Sequence, residues 1–456
     1  MLAHVASTHS VSRRPSTTLR ASARSANAAP ALAYWSNKTI AIVGAGPSGL
    51  ATALALRRQG IANITVFERV SELKPNIGGG FNLNGGARVL RELGLEDAYA
   101  SIANDLIAVR ARRVSGRTLF EVKVREMIAA DARGREGLIG ENGRVLCGTV
   151  QRADAQRAMA AALPNDVLVL NRGVKEICAS RGNTSRKASV VFDDGSSETF
   201  DLVIGADGID SRARLAVDGG AAAPKYSGIR VVFGCTPAGS DARDASEMNC
   251  AHQWFADGMY MLCFTGGGAL ASKQHNIAVC VQDKTRRDEN AAWRAKPAAK
   301  DETIALLRSK GVPASAIAVA EACDRFCEVG VHYHDVLDRW SDPDGSVTLV
   351  GDACHAMPPF LGQGANQAMQ DALCVAACLG KVGTKYASVK EALQAYENIR
   401  KPPTAAIMQS SRVIGALETG AGPLALFRDV AFFIAGTLGI TGKVFLEGAL
   451  PRFDEA

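Results

Sequence analysis

Three times along the chain a short apolar run stops near a glycine or an acidic residue and hands over to a stretch with helical spacing. First, Thr39–Val43 (TIAIV) leads into GAGPSG, a helical pattern from about Ser48 to Gln59, and a second run at Ile64–Phe67. Then Leu202–Gly205 (LVIG) leads into Asp207–Gly208 and a helix beginning near Ser211. Last, Ser346–Val350 leads into Gly351–Asp352, a Pro-Pro kink, a Gly-Gln-Gly loop and a helix from about Asn366. Short apolar runs alternating with helices predict an α/β layer. Between the second and third of these the pattern changes. Ile229–Cys235, His252–Phe255, Met259–Phe264 and Asn276–Val281 are separated by Gly-rich turns, which predicts an antiparallel sheet. Ala108–Val124 also reads as strands, Arg125–Arg144 as a polar surface loop, and residues 285–325 as helical. Lys390–Gly415 predicts an amphipathic helix ended by Pro402–Pro403.

The hand-over points carry the chemistry. Gly44 makes a tight turn, Gly46 admits a pyrophosphate and Gly49 lets helix and strand pack, with Ser48 in the same turn. Glu68, followed by Arg69, ends the next strand where a carboxylate holds an adenosine ribose. This predicts an adenine dinucleotide and leaves FAD and NAD open. In the third motif Asp352 can accept hydrogen bonds from sugar-alcohol hydroxyls. Gly362 and Gly364 let backbone approach a flat ring, and the helix start offers free N–H groups and positive potential.

GDACHAMPPFLGQGANQAMQDA resembles, over its whole length, the Gly-Asp motif of the FAD-dependent aromatic hydroxylases. These are the single-component flavin monooxygenases, among them salicylate, p-hydroxybenzoate and urate hydroxylases, kynurenine monooxygenase and zeaxanthin epoxidase. FDLVIGADGIDSRAR resembles the family's Asp-Gly motif, and both motifs and GAGPSG stand in the family's order. The resemblance implies a Rossmann-like FAD-binding domain with a mixed antiparallel substrate sheet, as in p-hydroxybenzoate hydroxylase. It implies FAD as cofactor, NAD(P)H as electron donor, and transfer of one oxygen atom of O2 to the substrate through a flavin C4a-hydroperoxide. FAD would be held by Gly44, Gly46, Ser48, Gly49, Glu68, Arg69, Arg152, Asp207, Gly208, Gly351, Asp352, Gln363, Ala365 and Asn366. Pro358, Gly362 and Gly364 would position the ring through their backbone, and Arg214 would add charge toward the pyrophosphate. Arg152 precedes its helix as the family arginine does, although Ala155 stands where relatives usually carry Leu. Within Asn76–Leu95 a glycine-rich turn would cross close to the flavin before a helix at Arg88–Leu93. The expected partition is a leader at 1–36, an FAD-binding domain at 37–75, 104–222 and 340–415, a substrate domain at 76–103 and 223–339, and a helical tail at 416–456. A small aromatic or heteroaromatic substrate is one reading. Xanthophyll epoxidation and a flavin-binding protein without turnover are the others.

Composition refines this. Of 52 basic residues, Arg13, Arg14, Arg20 and Arg24 lie in the first two dozen positions; without them 48 face 46 acidic ones, which argues against nucleic acid. A Ser/Thr/Ala/Arg-rich start with no acidic residue before Glu68 reads as a transit peptide, plastid rather than mitochondrial. Eleven cysteines without a CxxC pair suggest a reducing compartment. His332 and His334 read as structural, with no metal expected. His252, Trp254, Tyr260, Met261 and Phe264 are candidate substrate-lining residues, of which alternate members face a cavity. Val430–Ile440 predicts a packing helix in the tail, with contact to a membrane surface the other reading.

Overall fold

The computed structural model describes residues 33–73, 79–140, 142–180, 187–219, 223–269, 272–283 and 298–453. Most of the expected leader, Asn76–Gly78 of the glycine turn, and 285–297 of the expected helical region lie outside them. Residues 33–36 of the expected leader are described. Trp35 is buried, and its Nε1 donates to the Leu379 carbonyl at 3.0 Å.

A five-stranded sheet, parallel throughout, carries the three hand-over motifs. Its spatial order is Leu168–Val169, Ile64–Phe67, Ile40–Val43, Leu202–Gly205, Val347–Leu349. The chain starts in the middle, works to one edge, then crosses to the other side. This reversal opens a crevice at the carboxyl ends of Ile40–Val43 and Leu202–Gly205, where such sheets bind ligands. Both strands are buried along their whole length, as strands covered on both faces must be. One cover is the helix Pro47–Arg58, which packs against the helix Gly364–Leu379.

The second layer is a seven-stranded mixed sheet ordered Arg325–Tyr333, Lys225–Cys235, Gln274–Gln282, Met259–Gly266, Cys250–Ala256, Ala108–Arg113, Thr118–Lys123. All neighbours are antiparallel except Cys250–Ala256 and Ala108–Arg113. The strands at 108–123, expected within the FAD-binding part, are therefore hydrogen-bonded into the seven-stranded sheet. Conversely, Gly80–Leu83 pairs with Gly148–Gln151, and the helix Gly86–Glu92 packs on Gly364–Leu379. That segment, expected in the substrate domain, builds the cofactor side.

Two further expectations change. Arg125–Arg144 is not a plain loop: it contains the helices Val124–Ala130 and Ala132–Gly137, the second capped by Asp131, which accepts from Arg133 N at 2.8 Å. Val389–Glu418 is one 30-residue helix running through Pro402–Pro403. The prolines, and Asn398 and Ile399 whose carbonyls they leave without helical partners, all lie along a cavity wall. Buried Arg400, Thr404, Met408 and Ser411 hold the helix on both sides of the interruption.

The tail forms Pro423–Thr437 and Ile440–Ala449, meeting at 79°. No single described helix is long and apolar enough to cross a membrane. Phe432 packs inward, but Leu426, Phe427, Val430, Phe433, Ile434 and Leu438 are exposed.

Candidate active site

A continuous cavity of 2060 Å³ runs from the Gly44–Gly46 turn, past Asp207 and Asp352, to the face of the seven-stranded sheet. Ordinary small-molecule sites occupy about 300–1,000 Å³. This one has room for a dinucleotide and a substrate end to end.

At the crevice, Gly44 has φ +102°, and a Cβ there would come within 2.5 Å of the Ala206 carbonyl oxygen. A Cβ on Gly49 would overlap the Gly44 carbonyl, so this glycine serves packing. Gly46 faces open space, with no atom within 4 Å of a Cβ position. Ser48 lines the cavity, and its buried hydroxyl has no partner among the described residues. Glu68 accepts from Ala45 N at 2.8 Å and Val70 N at 3.1 Å, which fixes the turn against the strand that follows. Arg69 lies exposed beside it on the cavity wall. Gln156, singled out by no sequence signal, donates to the Ala45 carbonyl at 2.6 Å.

Asp207 lines the cavity, but its carboxylate is spent on the next helix. It accepts from Arg212 N at 2.6 Å, Ala213 N at 3.2 Å and Ser211 Oγ at 2.5 Å. Burial pushes this carboxyl up, and those hydrogen bonds oppose it. Gly208, at φ +80° with nothing near its Cβ position, is the part of the motif left open to a ligand. Arg214 is buried beside Cys354 and, unlike Arg212, does not line the cavity.

Asp352 and Arg152 both line the middle of the cavity, close enough to interact electrostatically. Neither makes a side-chain hydrogen bond or ion pair among the described residues, and both side chains are exposed to the cavity. Burial raises the Asp352 carboxyl, opposed by His355 and Arg152, and water reaching it through the cavity moderates the rise. Burial lowers Arg152, with Asp352 and Glu68 opposing. Asp352 Oδ1 is 3.9 Å from where a Cβ on Gly364 would sit, which puts the acid at the start of Gly364–Leu379. Gly362 (φ +62°), Gln363, Gly364 and Ala365 line the same stretch.

Three expected site residues work from behind it. Gly351 is a packing glycine, its Cβ position 2.8 Å from Ser48 Oγ. Pro358 is off the lining, its carbonyl accepting from Ser411 Oγ at 2.6 Å; Pro359 lines the cavity instead. Asn366 is fully buried and ties two loops together. Its Oδ1 accepts from Asn84 N and Gly86 N at 3.1 and 2.8 Å, and its Nδ2 donates to Asn82 and Gly362 carbonyls at 2.9 and 2.8 Å.

The sequence model of the FAD binding domain family matches residues 37–411. The chain belongs to the FAD-dependent aromatic hydroxylases. It is 30% identical over 380 residues to 3-amino-4-hydroxybenzoate 2-monooxygenase of Streptomyces cremeus, covering 82% of this chain and 86% of that one. It is 27% identical over 391 residues to salicylate hydroxylase of Pseudomonas putida, covering 83% and 85%. Klebsiella pneumoniae HpxO, solved with FAD and uric acid, shares the fold at a TM-score of 0.73 and 22% identity over 90% of this chain and 97% of that one. This family member is an FAD-dependent monooxygenase. Its crevice fits that cofactor: Gly46, Gly208 and Gly362 leave open the backbone a ligand would meet, and Arg152 offers a cation with no partner among the described residues.

Of the five candidate substrate-lining residues, two face the cavity and His252, Trp254 and Met261 do not. Tyr260 and Phe264 line the cavity with Val231, Phe233, Leu262 and Cys280. Met261 instead packs in the cluster behind the sheet with the helices Ala298–Ser309 and Ala314–Ala322. His252 stacks on Trp254 and bonds to Glu247 and Arg112. Burial and Arg243 push His252 down to about 4 against Glu247. Glu247, Cys250 and His252 form a cluster of metal-ligand type, but Arg110 and Arg112 engage it, which makes it an ion-pair network. His334 bonds to the Ile209 carbonyl at 2.7 Å, while His332 lines the cavity rim.

Proposed function

We propose that the enzyme consumes NAD(P)H and O2 to insert one oxygen atom into a small aromatic or heteroaromatic molecule. The observation that carries this reading is the single cavity joining the nucleotide crevice to an apolar sheet face. When bound there, FAD supplies electron transfer from the nicotinamide and activation of O2. The residues supply position and environment. Asp352 holds ribityl hydroxyls, Gly46, Gly208 and Arg152 receive the pyrophosphate, and Glu68 orients the adenosine end. The start of Gly364–Leu379 directs free N–H groups and positive potential at the ring. Val231, Phe233, Leu262 and Phe264 keep water from the reacting centre. The named activities of the relatives, on salicylate and an aminohydroxybenzoate, support an aromatic substrate.

The size and apolarity of the sheet end support a second reading, epoxidation of a long isoprenoid. Supplying purified enzyme with NADPH or NADH and separate pools of aromatics and xanthophylls separates the two. An aromatic product heavier by one oxygen is expected. Oxygen gained only by the xanthophyll would replace the first reading with the second, and no product from any pool would leave a flavin-binding protein without turnover.

We further propose that the tail rests on a lipid surface. Its exposed Phe427, Val430, Ile434 and Leu438 form an apolar face, Arg117 stacks over Phe433 at 5.1 Å, and Lys443 follows. The enzyme is expected to float with anionic vesicles, and Phe427→Ser/Ile434→Ser to remain in the soluble fraction. Equal partitioning of the two would refute the attachment.

A further inference from the structure

The apolar end of the cavity contains one carboxyl for which the proposed chemistry has no use. Glu418 is the last residue of the long helix Val389–Glu418, one-turn spaced from Ile414, and both line the cavity opposite Tyr260 and Cys280. It is 4% exposed, and its Oε2 has no hydrogen-bond partner among the described residues. A buried, unsatisfied carboxyl oxygen costs free energy unless something arrives to satisfy it. Its surroundings name what could. The titratable or charged groups facing Glu418 are Tyr260 from one strand, Cys280 from the next and Arg428 from the tail helix. Arg428 is already committed to Asp429 and to the Ala256 and Glu418 carbonyls. No arginine or lysine stands among the strand residues that line this end. The cavity's other cations are Arg69, Arg152, Arg172, Lys175 and Arg212 toward the nucleotide crevice, and Lys443 and Arg452 on the tail.

We propose that Glu418 selects the substrate by hydrogen-bonding an uncharged aromatic or heteroaromatic amide, lactam or hydroxyl, so that such molecules bind in preference to aromatic carboxylates. The inference rests on the function proposed above and names its substrate class. Burial raises Glu418 to about 8, against the Tyr260 hydrogen bond and Arg428. Near neutral pH the group is therefore a carboxylic acid, which both donates and accepts. Such a pair of bonds matches an amide or lactam, whose N–H and C=O lie side by side. An aromatic carboxylate at this wall would be a desolvated anion whose nearest cation, Arg428, is already paired with Asp429.

Calorimetry on the purified flavoprotein, with 4-hydroxybenzamide and 4-hydroxybenzoate as probes, tests this. The amide is expected to bind about tenfold more tightly than the acid at neutral pH. Its affinity should fall as pH rises through about 8, because ionised Glu418 loses the proton it donates. Glu418→Gln, which keeps a donor and an acceptor, should retain the preference and lose that pH dependence. Glu418→Leu should bind the amide about tenfold less well. Equal or tighter binding of the acid, absence of heat from either probe, or a Glu418→Leu variant indistinguishable from the parent would overturn the assignment. A preparation without flavin would instead overturn the function on which it rests.

Discussion

Asp352→Ala is expected to purify colourless. The carboxylate is exposed to the cavity with no partner among the described residues, at the start of the helix Gly364–Leu379. An unpaired acid in such a place is a ligand-holding group, and bonds between a carboxylate and ligand hydroxyls contribute about 1.5–3 kcal/mol each. Losing two of them amounts to at least a hundredfold in affinity. Titration of apoprotein with FAD, followed by fluorescence, gives the number directly. Asp352→Asn should fall between alanine and the parent, because it keeps the shape and one acceptor. Unchanged FAD affinity in the alanine variant would remove Asp352 from the site.

Arg400→Met is expected to give the largest loss of stability in the chain. Asp371 and Arg400 are both fully buried, with Nε and Oδ1 2.8 Å apart. Oδ2 of the same aspartate accepts from Gly351 N at 3.0 Å and meets His355, and Arg400 also donates to Gln367 Oε1 at 2.7 Å. The network thus holds the turn on which Asp352 stands. Removing one partner strands the other charge, which costs about 3–5 kcal/mol. Burial would raise Asp371, but His355 and Arg400 together hold it below the usual carboxylate range. A depressed carboxylate stabilises the fold fully above its unfolded pKa, and the contribution is lost as pH falls through the folded value. The parent should therefore lose this contribution only in acid, whereas Arg400→Met lacks it at neutral pH. Urea melts at both pH values measure it. Equal midpoints for parent and variant at neutral pH would show that the pair contributes nothing.

Much of this was legible in the chain because the three motifs are local. A strand buried on both faces is a near-continuous apolar run, and the turn that follows must carry its glycine or acid within a few residues. The sheet face was harder to read. Helices Ala298–Ser309 and Ala314–Ala322 cover its back, so Met261 is as apolar as Tyr260 and Leu262, and alternation no longer marks which side faces the cavity. Distance along the chain hid the rest. Ala108–Arg113 finds its parallel partner at Cys250–Ala256, and Asn366 bonds to loops near Asn84. Pro402–Pro403 looked like a helix end because local propensity ignores the packing that holds both sides. No sequence signal singles out Glu418; its burial comes from its place opposite Tyr260, on a strand far away along the chain.

The central proposal, an FAD monooxygenase that consumes NAD(P)H, is tested most directly by a visible spectrum of the purified chain under nitrogen, with NADPH added before and after an aromatic pool. The account predicts a yellow protein that bleaches faster once substrate is present and recovers its colour in air. A colourless protein, or a yellow one that NADPH and NADH leave unbleached with and without substrate, would contradict it.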